Sequence, residues 1–152
     1  MGGTVDGQER DVPRWTLADP DSPATGLTLE VPADATRLAP MRRAVVAWAR
    51  ALDLSEETVA DLQLAVGEAA ANSVEHAYPA GAAGLVELAL QLRRRRGRRL
   101  VMVRVRDHGR WRSPPADPGY RGRGLAMIRA VAHDVAIDPG PRGTEVTFSV
   151  PA

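Results

Sequence analysis

The chain has 152 residues, 44% of them hydrophobic and only 4% aromatic, which suits one domain with a core of Leu, Val and Ala. Cysteine is absent, which excludes disulfides, thiolate metal sites and cysteine nucleophiles and agrees with a cytoplasmic protein. All twenty basic residues are arginine, against nineteen acidic ones, so a Walker A loop, the strand lysine of eukaryotic-type protein kinases and Schiff-base chemistry are excluded too.

Residues 1–25 are polar, hold Pro13, Pro20 and Pro23, and show no sustained period. They are expected to form a flexible tail or linker, leaving residues 26–152 as the folded domain. No secretory signal and no membrane span is expected, because no long apolar run occurs. Leu27, Leu29 and Val31 alternate as in a short strand that Pro32 ends. Asp34 or Thr36 is placed to cap a helix reaching about Leu52, with Leu38, Met41, Val45, Val46, Trp48, Ala49 and Leu52 available for burial. Its other side carries Arg37, Arg42, Arg43 and Arg50, a solvated face or a contact surface for a protein partner.

Ser55 caps a second helix, with Glu56 and Glu57 in the first turn, where the macrodipole favours acids. Over residues 61–78 the apolar side chains keep a helical rhythm, but Glu68 and Asn72 share one face. Both offer hard oxygens to Mg²⁺, and a carboxylate also takes a proton. A polar surface stripe is the structural alternative. Glu75 and His76 follow one turn later. Residues 79–84 read as a small loop. Residues 85–92 and 100–107 alternate as strands around a polar turn at 93–99, which holds six arginines. With no aromatics interleaved for base stacking, that turn reads as solvated, and no direct contact with nucleic acid is expected.

Residues 110–120 form a Pro- and Gly-rich loop. Gly122, Arg123 and Gly124 lead into a short apolar helix ending near Ala132, then a strand at 134–137, a turn at 139–143 and a closing strand at 144–150. The spacing is not that of a Rossmann turn. What remains is physical: small residues permit close backbone approach, and a helix N-terminus offers amides to an anion. Asp107-His108-Gly109 ends a strand, and Gly143-Thr144 begins one. Three scattered histidines, His76, His108 and His133, do not make a zinc site. The element order predicts an α+β two-layer sandwich, a mixed and mainly antiparallel sheet covered on one face by about three helices.

Four of these stretches, in order, resemble the motifs of the GHKL ATPases with their Bergerat ATP-binding fold. Glu68-Ala-Ala-Ala-Asn72 resembles the N box, and Asp107-His-Gly109, Gly122-Arg-Gly124-Leu125 and Gly143-Thr144 resemble the three glycine boxes. More narrowly, NSVEHAY, VRVRDHGRWR, RGRGLAMI and GTEVTF resemble the anti-sigma factor serine-protein kinases, over about residues 26–150. The resemblance implies ATP and Mg²⁺ as ligands, with Asn72 on the metal and Glu68 as the general base. It implies that Asp107 accepts the adenine amino group and that Gly109 lets the base approach. Arg121, Gly122, Arg123, Gly124 and Leu125 would surround the phosphates, Thr144 would lie near the adenine, and residues 110–121 would form a lid. The implied partners are a STAS-domain anti-anti-sigma protein, phosphorylated on serine or threonine, and a sequestered sigma factor; a homodimer is admitted. The alternatives are a nucleotide-binding sequestration module without kinase activity, or the C-terminal ATPase domain of a larger PP2C-phosphatase signalling protein.

Overall fold

The structure, a computed structural model, describes residues 25–79, 82–110 and 123–152. The expected tail, apart from Thr25, and the expected lid, apart from Arg110, lie outside the described residues. The elements run β1 (Gly26–Pro32), a 3-10 turn (Ala35–Arg37), α1 (Leu38–Ala51), α2 (Glu56–His76), β2 (Leu85–Arg95), β3 (Arg98–Asp107), α3 (Arg123–Val131), β4 (His133–Gly140) and β5 (Gly143–Pro151). The strands form one sheet in the order β1-β2-β3-β5-β4. Every pairing is antiparallel, the limiting form of the mainly antiparallel sheet expected.

Strand alternation decides which face is covered. Val86, Leu88 and Leu90 of β2, Val101, Val103 and Val105 of β3, and Val146, Phe148 and Val150 of β5 are all buried on one side. Against them pack Met41, Val45 and Ala49 of α1, spaced four apart, and Leu62, Ala65, Val66 and Ala69 of α2. From α3 only Ile128 is a buried hydrophobe of this core. Each of these larger side chains, fully buried, contributes about 1.5–3 kcal/mol. The sheet's other face carries the polar side of the alternation. Across it Glu30 stands opposite Glu87, Glu87 opposite Arg106, and Arg106 opposite Glu145.

The hairpin between β2 and β3 is longer than its sequence suggests. The arginines expected in a turn at 93–99 continue the ladder, with Arg94 opposite Arg99 and Arg95 opposite Arg98. The loop shrinks to Arg96 and Gly97, with φ of 50° and 80°. Positive φ at both central residues matches the twist of the flanking strands, which is why two residues suffice. The backbone ladder forms although like charges directly opposite each other oppose it. The strand β4 is also longer than the expected 134–137. Pro139 is accommodated because β4 is a sheet edge. Its register slips between His133 and Ala136, where Asp134 has φ 53°.

Candidate functional site

Helix α2 is fixed at its start. Ser55 Oγ accepts from Thr58 N at 3.1 Å, and Thr58 Oγ1 donates to the Pro151 carbonyl at 3.1 Å, tying the first turn to the end of β5. The apolar side then descends into the core, which leaves Glu68 and Asn72, both half-buried, turned towards α3. Helix α3 comes close because Gly124 has no side chain. A Cβ there would lie 3.1 Å from Glu68 Oε2 and 3.4 Å from both Asn72 Oδ1 and Nδ2. Glu68, Asn72, Arg123, Gly124 and Met127 line one pocket of about 660 Å³, with Glu75 on its wall.

The second half of the site lies where β3 meets the end of α2. Asp107 is buried, and its Oδ1 accepts from Gly109 N at 3.2 Å and Thr144 N at 3.1 Å. One carboxylate oxygen thus holds the end of β3 to the start of β5. Gly143, at φ 131°, has its Cα so close to the Asp107 carbonyl that a Cβ would run into that oxygen. A Cβ on Gly109 would run into the Ala77 carbonyl, which also accepts from Arg110 N at 2.9 Å. Ala77 follows Asn72 by five residues, roughly 7–8 Å along the helix axis. The end of α2 that follows the carboxylate–carboxamide pair thus packs on the strand end that carries the buried aspartate. Beside that aspartate, Thr144 Oγ1 is buried without a hydrogen-bond partner among the described residues. A buried hydroxyl in that state is costly, and a bound polar ligand or water would satisfy it.

Comparison with family models matches residues 31–150 to the histidine kinase-like ATPase domain. The chain belongs to that family. As a histidine kinase-like ATPase domain it also resembles solved structures. The structure of the RsbU and RsbW domains of Rv1364c from Mycobacterium tuberculosis matches with 24% identity and a TM-score of 0.66, over 84% of this chain. The chain spans about a third (33%) of the length of that structure. The blue-light activated histidine kinase of Erythrobacter litoralis EL346 matches with 22% identity and a TM-score of 0.50, over 75% of this chain and 41% of that one. These likenesses concern the fold.

Within this ATPase domain the structure brings together Glu68, Asn72, Arg123 and Gly124 at one end and Asp107, Gly109 and Thr144 at the other. Leu125 is half-buried and packs against the core. Arg121 and Gly122 lie outside the described residues. Glu75 borders the pocket, and its Oε2 is 3.7 Å from His76 Nε2. His108 turns away from Asp107 to Glu87, with Nε2 3.3 Å from Oε2. Gly109 was expected to leave room for a ligand, yet the protein itself already requires the glycine, at Ala77.

Sequence reasoning missed Tyr78. Its hydroxyl accepts from His108 N at 2.8 Å and bonds the Leu85 backbone, so it braces the strand end that carries Asp107. The signal available was a lone tyrosine directly after a helix, too common to single out. A larger hollow of about 1040 Å³ opens beside Tyr78, between Pro32, Ala33, Ala83 and Leu85. The carboxylate–carboxamide pair is not in its wall; it lines the smaller pocket.

Proposed function

We propose that this domain binds Mg-ATP and transfers the γ-phosphoryl group to a serine or threonine of a protein acceptor, as the anti-sigma factor kinases do. The contact of Gly124 with Glu68 and Asn72 carries this reading, because it joins the helix start that would face phosphates to the only carboxylate–carboxamide pair in that pocket. The residues suit the ligand. Thr144 Oγ1 has no hydrogen-bond partner among the described residues, in the region assigned to the adenine. Asp107 is an acceptor at the end of β3, suited to the adenine amino group. Among the described residues no group of three or more His, Cys, Asp or Glu could hold a metal ion. A cation here would be held by the Asn72 amide oxygen together with phosphates and water, the usual mode for Mg²⁺, which leaves Glu68 to take a proton. Bound Mg²⁺ supplies charge neutralisation on the phosphates.

The chain's own part in the transfer is short. Glu68 accepts the proton of the acceptor hydroxyl as its oxygen bonds the γ-phosphorus. The bond from that phosphorus to the β,γ-bridging oxygen breaks, and its electron pair leaves with ADP. Gly124 and its neighbouring amides hold the phosphates, and Arg123 adds positive charge near them. The acceptor is a STAS-domain anti-anti-sigma protein, and a sigma factor is the alternating partner.

Calorimetry with ATP and Mg²⁺, followed by incubation with a panel of STAS proteins, tests this. Phosphate should appear on a serine or threonine of one of them. Glu68→Ala should abolish transfer while ATP still binds. Failure to bind either ATP or ADP sinks the nucleotide reading, and undiminished transfer by Glu68→Ala removes that residue from the step. A second reading, sequestration of a partner without transfer, is favoured by the exposed Arg37, in the 3-10 turn, and Arg43 on α1. Sigma-factor capture with no phosphorylated acceptor would select it. The match to one third of a longer structure also suits a domain of a larger phosphatase-containing signalling protein.

A further inference from the structure

The hairpin of β2 and β3 carries charge that no described residue answers. Arg93, Arg94, Arg95, Arg96, Arg98 and Arg99 are exposed, and among the described residues none of the six makes an ion pair. Arg93 donates instead to Gln91 Oε1, at 2.8 and 2.6 Å. Arg94 stands opposite Arg99 and Arg95 opposite Arg98, where like charges work against the ladder. The neighbouring strands stop short of this tip. β1 begins at Gly26, opposite Gln91, and β5 ends at Pro151, opposite Leu100. The arginine-bearing tip therefore projects past both neighbours.

The chain enters the sheet at this same end. Gly26 pairs with Gln91, two residues before Arg93 and roughly 7 Å from it along the strand. Residues 1–24, which lie outside the described residues, hold five carboxylates, Asp6, Glu9, Asp11, Asp19 and Asp21, against Arg10 and Arg14. Asp21 precedes Gly26 by five residues and Asp19 by seven, a reach of up to about 16–25 Å. From Gln91 to Arg95 is roughly 13 Å. Both acids therefore reach the tip with the sheet unchanged. We propose that the acidic segment before β1 seats on the arginine hairpin of its own chain, through Asp19 and Asp21. Exposed ion pairs are weak singly, but the tether at Gly26 gives these acids an effective concentration that is roughly millimolar. A free polyanion such as nucleic acid then meets the hairpin only by displacing the segment. The seat is remote from the nucleotide pocket, since Arg98 and Asp107 stand at opposite ends of β3, roughly 30 Å apart.

The test uses the full chain with a nitroxide on Thr16→Cys, the sequence having no other cysteine. Paramagnetic broadening of backbone amide signals should be strongest at residues 94–99 and absent at β4, the far edge of the sheet. It should fall about threefold or more at about 1 M salt, where the screening length is about 3 Å. Arg95→Glu with Arg98→Glu should abolish it, and adding Asp19→Arg with Asp21→Arg should restore it, which a damaged hairpin would not do. Broadening centred elsewhere, unmoved by salt, or not recovered by the charge swap overturns the proposal. So does broadening that passes to a second, unlabelled copy in a mixed sample, because another chain would then be the occupant. A fluorescent single-stranded oligonucleotide tests the remaining occupant. At low salt it should bind Asp19→Asn/Asp21→Asn about three- to tenfold tighter than the wild type, and tighter than Asp53→Asn/Asp138→Asn, which removes the same charge elsewhere. No such gain means that the segment does not cover the hairpin, and overturns the proposal.

Discussion

Asp107 is the residue whose replacement separates scaffold from ligand chemistry. Its Oδ1 takes two backbone hydrogen bonds, from Gly109 and Thr144, inside a buried site. A hydrogen bond to a charged group contributes about 1.5–3 kcal/mol, and an orphaned buried amide costs about as much. Asp107→Ala leaves two such amides, so it should lower stability by about 3–5 kcal/mol. For a chain of this size that is a drop of about 10–15 °C in melting temperature. Asp107→Asn keeps one carbonyl-type oxygen for the same two amides and should lose only about 1–2 kcal/mol. It replaces the other carboxylate oxygen by an NH₂ donor, so a base edge that donates would meet a donor. ATP affinity should then fall by about tenfold or more in a protein that is still folded. Thermal denaturation followed by circular dichroism reads the first effect, and calorimetry with ATP reads the second. An alanine variant melting within about 2 °C of the wild type would refute the role given to the two amides. An asparagine variant with unchanged ATP affinity would remove Asp107 from the base site.

Gly143→Ala should be among the most damaging single-methyl additions. Its φ of 131° strains any L side chain and its Cβ would meet the rigid Asp107 carbonyl, so a loss of about 3 kcal/mol or more is expected in a denaturant titration. A midpoint unchanged from the wild type would mean that β5 can shift freely at its start. Ser55→Ala should cost about 1 kcal/mol by removing the cap on Thr58 N, with Ser55→Asp restoring most of it. Arg50 lowers the Glu56 carboxyl below its ordinary value, first by hydrogen bonding and then by charge. A depressed carboxylate stabilises fully above the unfolded glutamate value and loses that contribution as pH falls through the folded one. The small melting-temperature advantage of the wild type over Glu56→Gln at neutral pH should therefore vanish in acid; an advantage that persists at pH 2 would contradict the pairing.

The parts legible in sequence were those whose period matched their burial. Residues 85–92 and 144–150 alternate because one side chain in two enters the core, and α2 repeats because Leu62, Ala65, Val66 and Ala69 descend together. The hairpin tip was misread for the opposite reason. Arg94 and Arg95 stand opposite Arg99 and Arg98 with no apolar partner, and what extends the strands is the backbone ladder closed by Arg96 and Gly97. The length of β4 was hidden by Pro139, which an edge position tolerates. For the site, the Glu68–Asn72 spacing was visible, but the neighbour that gives it a pocket was not. Only the fold brings Gly124 within contact of both side chains. The bracing by Tyr78 was likewise beyond reach, since a hydroxyl thirty residues from the amide it accepts leaves no local pattern.

Glu68 and Asn72 stand on the same helix as the buried Leu62, Ala65, Val66 and Ala69. A residue inserted or deleted just before Glu68 would turn the pair by about 100° relative to the core-facing side. Length changes in α2 therefore remove fold and chemistry at one stroke, and selection eliminates them together. Substitution is different. Replacing the two side chains alone leaves the approach of Gly124 and the sheet in place. On the proposed reading, a change from transferase to pure binder would run through two codons, with the backbone unchanged.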